Sequence, residues 1–539
     1  MNRFTAVLWI AVYEIGGSML KRLDSLEKPS DGLNDLRKMA IIDVGSNSFR
    51  LIVMTYVPGY HFQITDEVRE SVRLVQGISE TGNLRAGPMD HAVETMQLYA
   101  AFCKSSDITD IVAVATSAVR EAKNREAFLE RVKRESGIDV RVLSGEEEAY
   151  YGYLAAENST TLRNGFVLDL GGGSLEITRV DNRRSRESVS LTLGAVRATE
   201  EWLPDAPATK AAVARLRKHI REQLETLNWF EVRPGTRLIG QRGSLRNVAH
   251  IMQKATDYPL DELHGYTLRD SGLREAIEMM EPMTVEQRQT IPGMKPDRAD
   301  IALAGAIVVD ECMKYAGYDR LTVCSQGLRE GVFYERFLAD NDPPIFEDVR
   351  RASVMNIAHL YHYHVEHVQH VEHLTLSMFD QLRDDRFCGP EERKLLWAAC
   401  VLHDIGMTID YNDHHRHGYY LILNSGLPGY THRELALIAL TVRYHRKGMP
   451  DVGELEDILE PDDDQRLLKM TALLRLAEQL DRSRDGSVRD VRLTQGTDWA
   501  LIEVVSKIDV SVAIWSAERQ TDIFQAAFGK RLEFKQVPV

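Results

Sequence analysis

Two segments of this chain spell one pattern: Asp43-Val44-Gly45-Ser46-Asn47-Ser48-Phe49 and Asp169-Leu170-Gly171-Gly172-Gly173-Ser174-Leu175 both read D-φ-G-x-x-S-φ, where φ is apolar. Each lies between an apolar run and an alternating one, AIIDV before FRLIVMTYV and GFVLDL before LEITRV. Each is therefore read as a tight turn joining two strands. A motif repeated in that setting means that the fold is built twice.

The surrounding pattern agrees. After the first turn come a helix near Met89 to Cys103, the strand DIVAVAT, a helix near Arg125 to Ser136 and the strand VRVLS. After the second come a strand near Ser188, helices from Lys210, the strand TRLIG and helices to about Lys314. Strands alternating with amphipathic helices predict α/β layers, here in two cycles. Beyond Asn341-Asp342-Pro343-Pro344 strand signals stop, and helical periodicity runs from Phe346 to about Leu480. The tail returns to short strands, VRDVRLT and ALIEVV, with one helix, and is expected to pack against its neighbours. The expected division is an N-terminal extension (1–38), two α/β domains (39–164 and 165–344), an all-helical domain (345–485) and a small α+β piece (486–539).

With 539 residues and a formal net charge of −15, the molecule as a whole does not attract polyanions. No nucleic-acid partner is expected, and any polyanion needs a local basic track. Arg183 to Arg186, the Lys210 to Arg221 helix and Arg443 to Lys447 are candidates. The five cysteines form no C-x-x-C pair, which suits a reducing, cytoplasmic location. Phe4 to Tyr13 is too short to cross a bilayer. A signal-peptide reading of it has only Arg3 ahead and Glu14 directly behind, so no integral membrane segment is expected.

The chemistry begins at the turns. Glycines and small polar residues let consecutive backbone N–H groups point into one concavity, the geometry that holds phosphate oxygens. Gly45, Ser46, Asn47 and Ser48 offer this in the first turn, and Gly171, Gly172, Gly173 and Ser174 in the second, with Arg50 a further donor. Neither turn opens a helix or ends in G-K-[ST], so dinucleotide-fold and P-loop readings fail. An Asp ending a buried strand needs a cation, so Asp43 and Asp169, with Glu176 on the return strand, suggest Mg²⁺ ligation. In Ser144-Gly145-Glu146-Glu147-Glu148, a capping box accounts for Glu147 and the helix dipole for Glu146. Glu148 is left over as a candidate base for an attacking water.

The ordered set AIIDVGSNSFRLIV, TSAVREA, SGEEEA, VLDLGGGSLEI, SLTLGAVR and CSQGLREGVFYE resembles the exopolyphosphatase and guanosine pentaphosphate phosphohydrolase family, from about residue 39 to 480. The resemblance implies duplicated ribonuclease-H-like (actin-like) domains, with the site in the cleft between them. It also implies removal of terminal phosphate from inorganic polyphosphate with Mg²⁺. By motif position, Glu148 corresponds to the general base, while Asp43, Asp169 and Glu176 fall at acidic metal and water positions. Arg120 falls near the transferred phosphate, and Gly243 and Ser244 match a further substrate loop. In that loop, Gly240-Gln241-Arg242-Gly243-Ser244, the family usually has a small residue where this chain has Arg242.

The helical part offers His367, His403-Asp404, His417, His445 and Asp481, a set suited to one or two divalent ions. Its spacing resembles the HD phosphohydrolase superfamily, so an all-α HD-type domain with a second metal is expected. Expected partners are inorganic polyphosphate, or alternatively guanosine pentaphosphate or tetraphosphate, and a second copy of the chain in a homodimer. Two other readings stay open: an ATP-dependent kinase or chaperone-like ATPase, and a sensor that binds alarmones or polyphosphate without turnover.

Overall fold

Strands β1 (Arg37–Val44), β2 (Phe49–Val57), β3 (His61–Glu70), β4 (Asp110–Ala115) and β5 (Val140–Val142) form one sheet in the order β3-β2-β1-β4-β5. Within it β1–β2 and β2–β3 are antiparallel, while β1–β4 and β4–β5 are parallel. A second sheet contains β6 (Gly165–Leu170), β7 (Leu175–Asp181), β8 (Arg184–Leu191), β9 (Arg237–Gln241), β10 (Thr267–Arg269) and β11 (Arg320–Val323). Five of its strands, β8-β7-β6-β9-β11, repeat the order and directions of the first sheet, and β10 is added antiparallel at the edge. This is a computed structural model, and it describes residues 35–382, 386–387 and 389–539. The Phe4 to Tyr13 segment, most of the N-terminal extension and Cys388 lie outside the described residues.

The repeated turns join β1 to β2 and β6 to β7. Both central strands are buried where they reach the turn, which is why they read as continuous apolar runs. Register places Asp43 opposite Arg50 in the first hairpin and Asp169 opposite Glu176 in the second. The long strand β3 has no counterpart in the sequence expectation. Its Thr65, Asp66, Glu67, Arg69 and Glu70 put charge and polarity on both faces, as an edge strand tolerates.

The helix Gly145–Glu157 and the helix Leu328–Phe337 cross at the seam of the two sheets. They approach so closely that a Cβ on Gly331 would stand 2.0 Å from the Tyr151 carbonyl oxygen. A shared core there draws Ile41 and Val114 from one sheet, Val167 and Ile239 from the other, and Leu154 and Phe333 from the two helices. That core fixes the sheets relative to each other, and with them the turns.

The part from Val349 to Leu480 is helical throughout its described residues, with six helices around one core. It docks on the first sheet through Asn356, whose side chain accepts from the Phe62 amide at 2.8 Å and donates to the Phe62 carbonyl at 3.1 Å. The tail holds three strands, β12 (Asp490–Gln495), β13 (Trp499–Val505) and β14 (Arg531–Val537), and two helices, Ser511–Glu518 and Thr521–Phe528. The single helix expected there is in fact two, separated by only Arg519 and Gln520. Val491, Ile502, Val504 and Phe524 of the tail join the core of the helical part. Among the described residues no helix is long and apolar enough to cross a membrane.

Candidate functional site

The two repeated turns meet face to face. A Cβ on Gly173 would stand 2.4 Å from Ser117 Oγ, and one on Gly172 would stand 3.3 Å from the Ser46 Cβ. Only glycine lets the second turn close on the first. Ser46 Oγ lies 2.9 Å from Ser117 Oγ and accepts from the Ala118 amide, tying the first turn to the TSAVREA helix start. Between the turns runs a narrow cleft lined by Asp43, Gly45, Ser46, Asn47, Ser48 and Arg50 from one side and Gly171, Gly172 and Ser174 from the other. Thr116, Ser117, Glu148, Leu170, Arg242, Gly243 and Arg298 complete the lining. Gly173, Asp169, Glu176, Arg120 and Ser244, also expected at the site, stand behind this surface rather than on it.

Glu148 enters from the helix Gly145–Glu157, whose start is the capping box read in the sequence. Ser144 Oγ accepts from the Glu147 amide at 3.1 Å, and Glu147 Oε2 accepts from the Ser144 amide at 2.8 Å. With Glu147 turned back to the cap, the next residue faces inward. The Glu148 carboxylate is buried and held from both sides, by Arg120 Nη1 on Oε2 at 3.1 Å and by Arg242 Nη2 on Oε1 at 3.2 Å. Burial pushes its pKa up against the pull of both guanidiniums. Arg120, expected near the transferred phosphate, braces Glu148 and donates to the Leu143 carbonyl oxygen at 3.0 Å.

Arg242 sits in the middle of the acids. Its Nε donates to Asp169 Oδ1 at 2.6 Å, its Nη1 to Asp43 Oδ2 at 3.4 Å and its Nη2 to Glu148 Oε1 at 3.2 Å. Glu176, paired across the hairpin with Asp169, accepts from Ser190 Oγ at 2.7 Å, and burial with the nearby Glu148 and Asp169 charges holds its pKa well above the usual carboxylate range. The fit of a resident Mg²⁺ to Asp43, Asp169 and Glu176 is therefore poor. Buried oxygens do remain unpartnered, Asp43 Oδ1, Asp169 Oδ2 and Glu176 Oε2. But a guanidinium stands among these acids, and among the described residues the three-ligand groups tight enough for an ion lie elsewhere.

Those groups are in the helical part, where His367, His403 and Asp404 form one and Asp404, His414 and His445 the other. All are buried. The Nδ1 atoms of His403, His414 and His445 face the carbonyl oxygens of Cys400, Tyr411 and Val442 at 2.7 to 2.9 Å, and His367 Nδ1 faces Asp481 Oδ2 at 2.7 Å. His367 Nε2 lies 3.4 Å from His403 Nε2, and His414 Nε2 lies 3.2 Å from His445 Nε2, so each pair can be joined by a shared proton or by a metal ion.

Two members of the sequence set are replaced. His417 stays half-buried outside the cluster, because the helix His414–Ser425 begins at His414 and it is this first residue that points to Asp404, Nε2 to Oδ1 being 3.1 Å. Asp481 backs His367 from behind, while Glu478, one turn earlier, brings Oε2 to 3.1 Å from His367 Nε2. The H…HD…H…H…D spacing fits several choices of His and acid, and only helix phase decides among them.

The basic track also lies elsewhere than the sequence suggested. Arg183 pairs with Glu157, Arg217 with Asp310 and Glu311, and Lys447 with Asp413. A cavity of about 910 Å³ shares Arg50, Gly243 and Arg298 with the cleft and adds Arg69, Arg246, Lys295 and Arg329. Arg329 has Glu67 at 2.8 Å, and Arg69 is bonded to Asp297. Arg246 donates to the Ser325 carbonyl oxygen at 2.8 Å. Burial and mutual repulsion lower the pKa of Arg50, Arg246, Lys295 and Arg298, the last to about 10. Glu67, Asp261, Glu262 and Glu330 share this lining, so six cations face four acids and the cavity keeps a basic excess. None of these cations was singled out in the sequence as a track, since they come from five separate segments.

Comparison with known proteins bears on the same residues. The family model described as "Ppx/GppA phosphatase family" matches residues 52–339, and "Ppx/GppA phosphatase, domain III" matches 349–509. Exopolyphosphatase 1 of Mycobacterium tuberculosis is 30% identical over 309 residues, 57% of this chain and 90% of that protein. The protein of that name from Mycobacterium leprae is likewise 30% identical, over 91% of its length. Among solved structures, the Aquifex aeolicus Ppx/GppA family member is 30% identical with a TM-score of 0.50, covering 57% of this chain and 99% of its own. An exopolyphosphatase from Cytophaga hutchinsonii, at 23% identity and a TM-score of 0.52 over 56% of this chain and 98% of that one, shares the fold. The second sheet, the second turn and the buried glutamate thus lie inside a matched region that takes in more than half the sequence, and the chain belongs to the Ppx/GppA phosphatase family.

Proposed function

We propose that the chain is an exopolyphosphatase, hydrolysing the terminal phosphoanhydride of inorganic polyphosphate. The observation that carries this reading is the cation-lined cavity opening from the cleft. A linear polyanion threaded along Arg246, Lys295 and Arg298 would relieve their repulsion and deliver its end between the turns. The turn amides, Ser46, Ser48 and Ser174 would hold the terminal phosphoryl group, with Arg50 beside it. Glu148, kept ionised by two guanidiniums and raised in pKa by burial, would take the proton of the attacking water and aim it at phosphorus. Phosphoryl transfer asks little else of a protein than positioning and charge neutralisation. Magnesium belongs to this reading as the counter-ion that polyphosphate carries, held by substrate oxygens.

Guanosine pentaphosphate is the alternative substrate. Against it stands the lining of the cavity, which offers no aromatic ring for a base among the described residues. Phosphate release from long-chain polyphosphate compared with release from guanosine pentaphosphate decides between them. The reading fails if the nucleotide is the better substrate or if neither is cleaved.

The helical part is proposed as an HD-type domain with a divalent metal centre on His367, His403, Asp404, His414, His445 and Glu478. The two buried groups of ligand atoms that share Asp404, with Glu478 Oε2 at 3.1 Å from His367 Nε2, support it. Metal analysis of the purified protein, with and without Asp404→Ala, tests it.

A further inference from the structure

Arg242 adopts φ 76° and ψ 173°, a backbone conformation that side chains other than glycine rarely occupy. It does so at the position where the family resemblance predicts a small residue. The strain is offset by what the side chain reaches. Three buried carboxylates, Asp43, Glu148 and Asp169, each receive one of its nitrogens, and the planar fork of donors spreads one charge over all three. Burying such a group of acids demands a cation, and a small loop residue would leave that demand to a metal ion.

We propose that Arg242 is the resident cation of the cleft. Its guanidinium takes the seat among Asp43, Glu148 and Asp169, so the empty cleft binds no free divalent ion and admits one only in company with the polyanion. This rests on the cleft being the hydrolytic site proposed above. It makes Arg242 a positioning residue: together with Arg120 it clamps the two oxygens of Glu148 in one plane, so that the base is oriented before substrate arrives.

The test is Mn²⁺ binding by calorimetry on full-length protein without substrate, in an Asp404→Ala background that removes the helical metal centre. With Arg242 intact, no ion is expected to bind in the cleft. Arg242→Gly should gain one Mn²⁺ per chain, at least tenfold tighter than the parent, and the added Asp43→Asn should abolish it. If the parent with Arg242 intact already binds one Mn²⁺ that Asp43→Asn removes, the proposal is overturned. It is equally overturned if folded Arg242→Gly binds no ion. Should Arg242→Gly not fold, Arg242→Asn removes the charge with a residue that tolerates the positive φ, and measurable Mn²⁺ binding is expected there, with its absence counting against the proposal. Since no polyphosphate is present, the outcome is independent of whether polyphosphate is the substrate.

Discussion

Arg120 Nη1 lies 3.1 Å from Glu148 Oε2, an ion pair between the TSAVREA helix and the first turn of the helix that follows the capping box. It anchors the one cleft carboxylate that lines the wall and has a guanidinium on each oxygen. Glu148→Gln keeps this shape and removes the base. Phosphate release from polyphosphate is expected to fall about 10²–10⁴-fold with substrate binding retained. Because the folded-state pKa of Glu148 is raised by burial, activity should also fall on the acid side at a pH above the ordinary glutamate range. An unchanged rate for the variant would remove Glu148 from the chemistry.

The crowded cations set stability against binding. Arg298→Gln takes one charge out of the repelling group, so the ligand-free protein should be stabilised by ~1 kcal/mol, read as a thermal midpoint about 2–4 °C higher. Arg298 lines both the cleft and the cavity, so the KM should rise about tenfold for long-chain polyphosphate and for tripolyphosphate alike. An unchanged KM for both would remove Arg298 from the binding surface.

Asp404 is shared by both ligand groups of the helical part. Asp404→Ala should therefore lose all metal bound there, and chelator should lower the thermal midpoint of the parent protein but not of the variant. Phosphate release from polyphosphate should persist in the variant. Loss of release with the cleft intact would move the chemistry into the helices.

His359 packs against Tyr60 at a ring-centroid distance of 3.7 Å, where the helical part meets the first sheet, and its Nδ1 has no hydrogen-bond partner. Burial and the nearby His61 lower its pKa to about 4 from 6.5. The unfolded chain thus takes up this proton first as pH falls. The stabilising contribution of the neutral ring is complete above about pH 6.5 and is lost progressively down to about pH 4. The half-buried position limits it to about 1–2 kcal/mol. Denaturant midpoints of the parent and His359→Phe should differ more at pH 7 than at pH 4.5, and a constant difference would show that His359 is not the sensor.

Much of this was legible in the sequence where a local rule governs. The turns, the central strands and the capping box each follow from a few contiguous residues, and so does the isolation of Glu148. What escaped depends on register and phase across the fold. His414 in place of His417 and Glu478 in place of Asp481 are choices of helix phase. Arg50, Arg246, Lys295, Arg298 and Arg329 become a track only when distant segments assemble. Arg242 stood out as a departure, but its grip on three acids needed coordinates. β14 is different: Leu532 and Phe534 alternate with charged neighbours, and a strand could have been read there.

The two hairpins are copies in topology yet opposites at one matched slot, with Arg50 facing the first aspartate and Glu176 the second. A perfectly symmetric jaw would have no reason to prefer either direction of approach. Arg50 lines the gap while Glu176 does not, so of this unlike pair only the arginine brings its charge to the cleft wall. Duplication supplied the two jaws, and a single unlike pair gave them a front and a back.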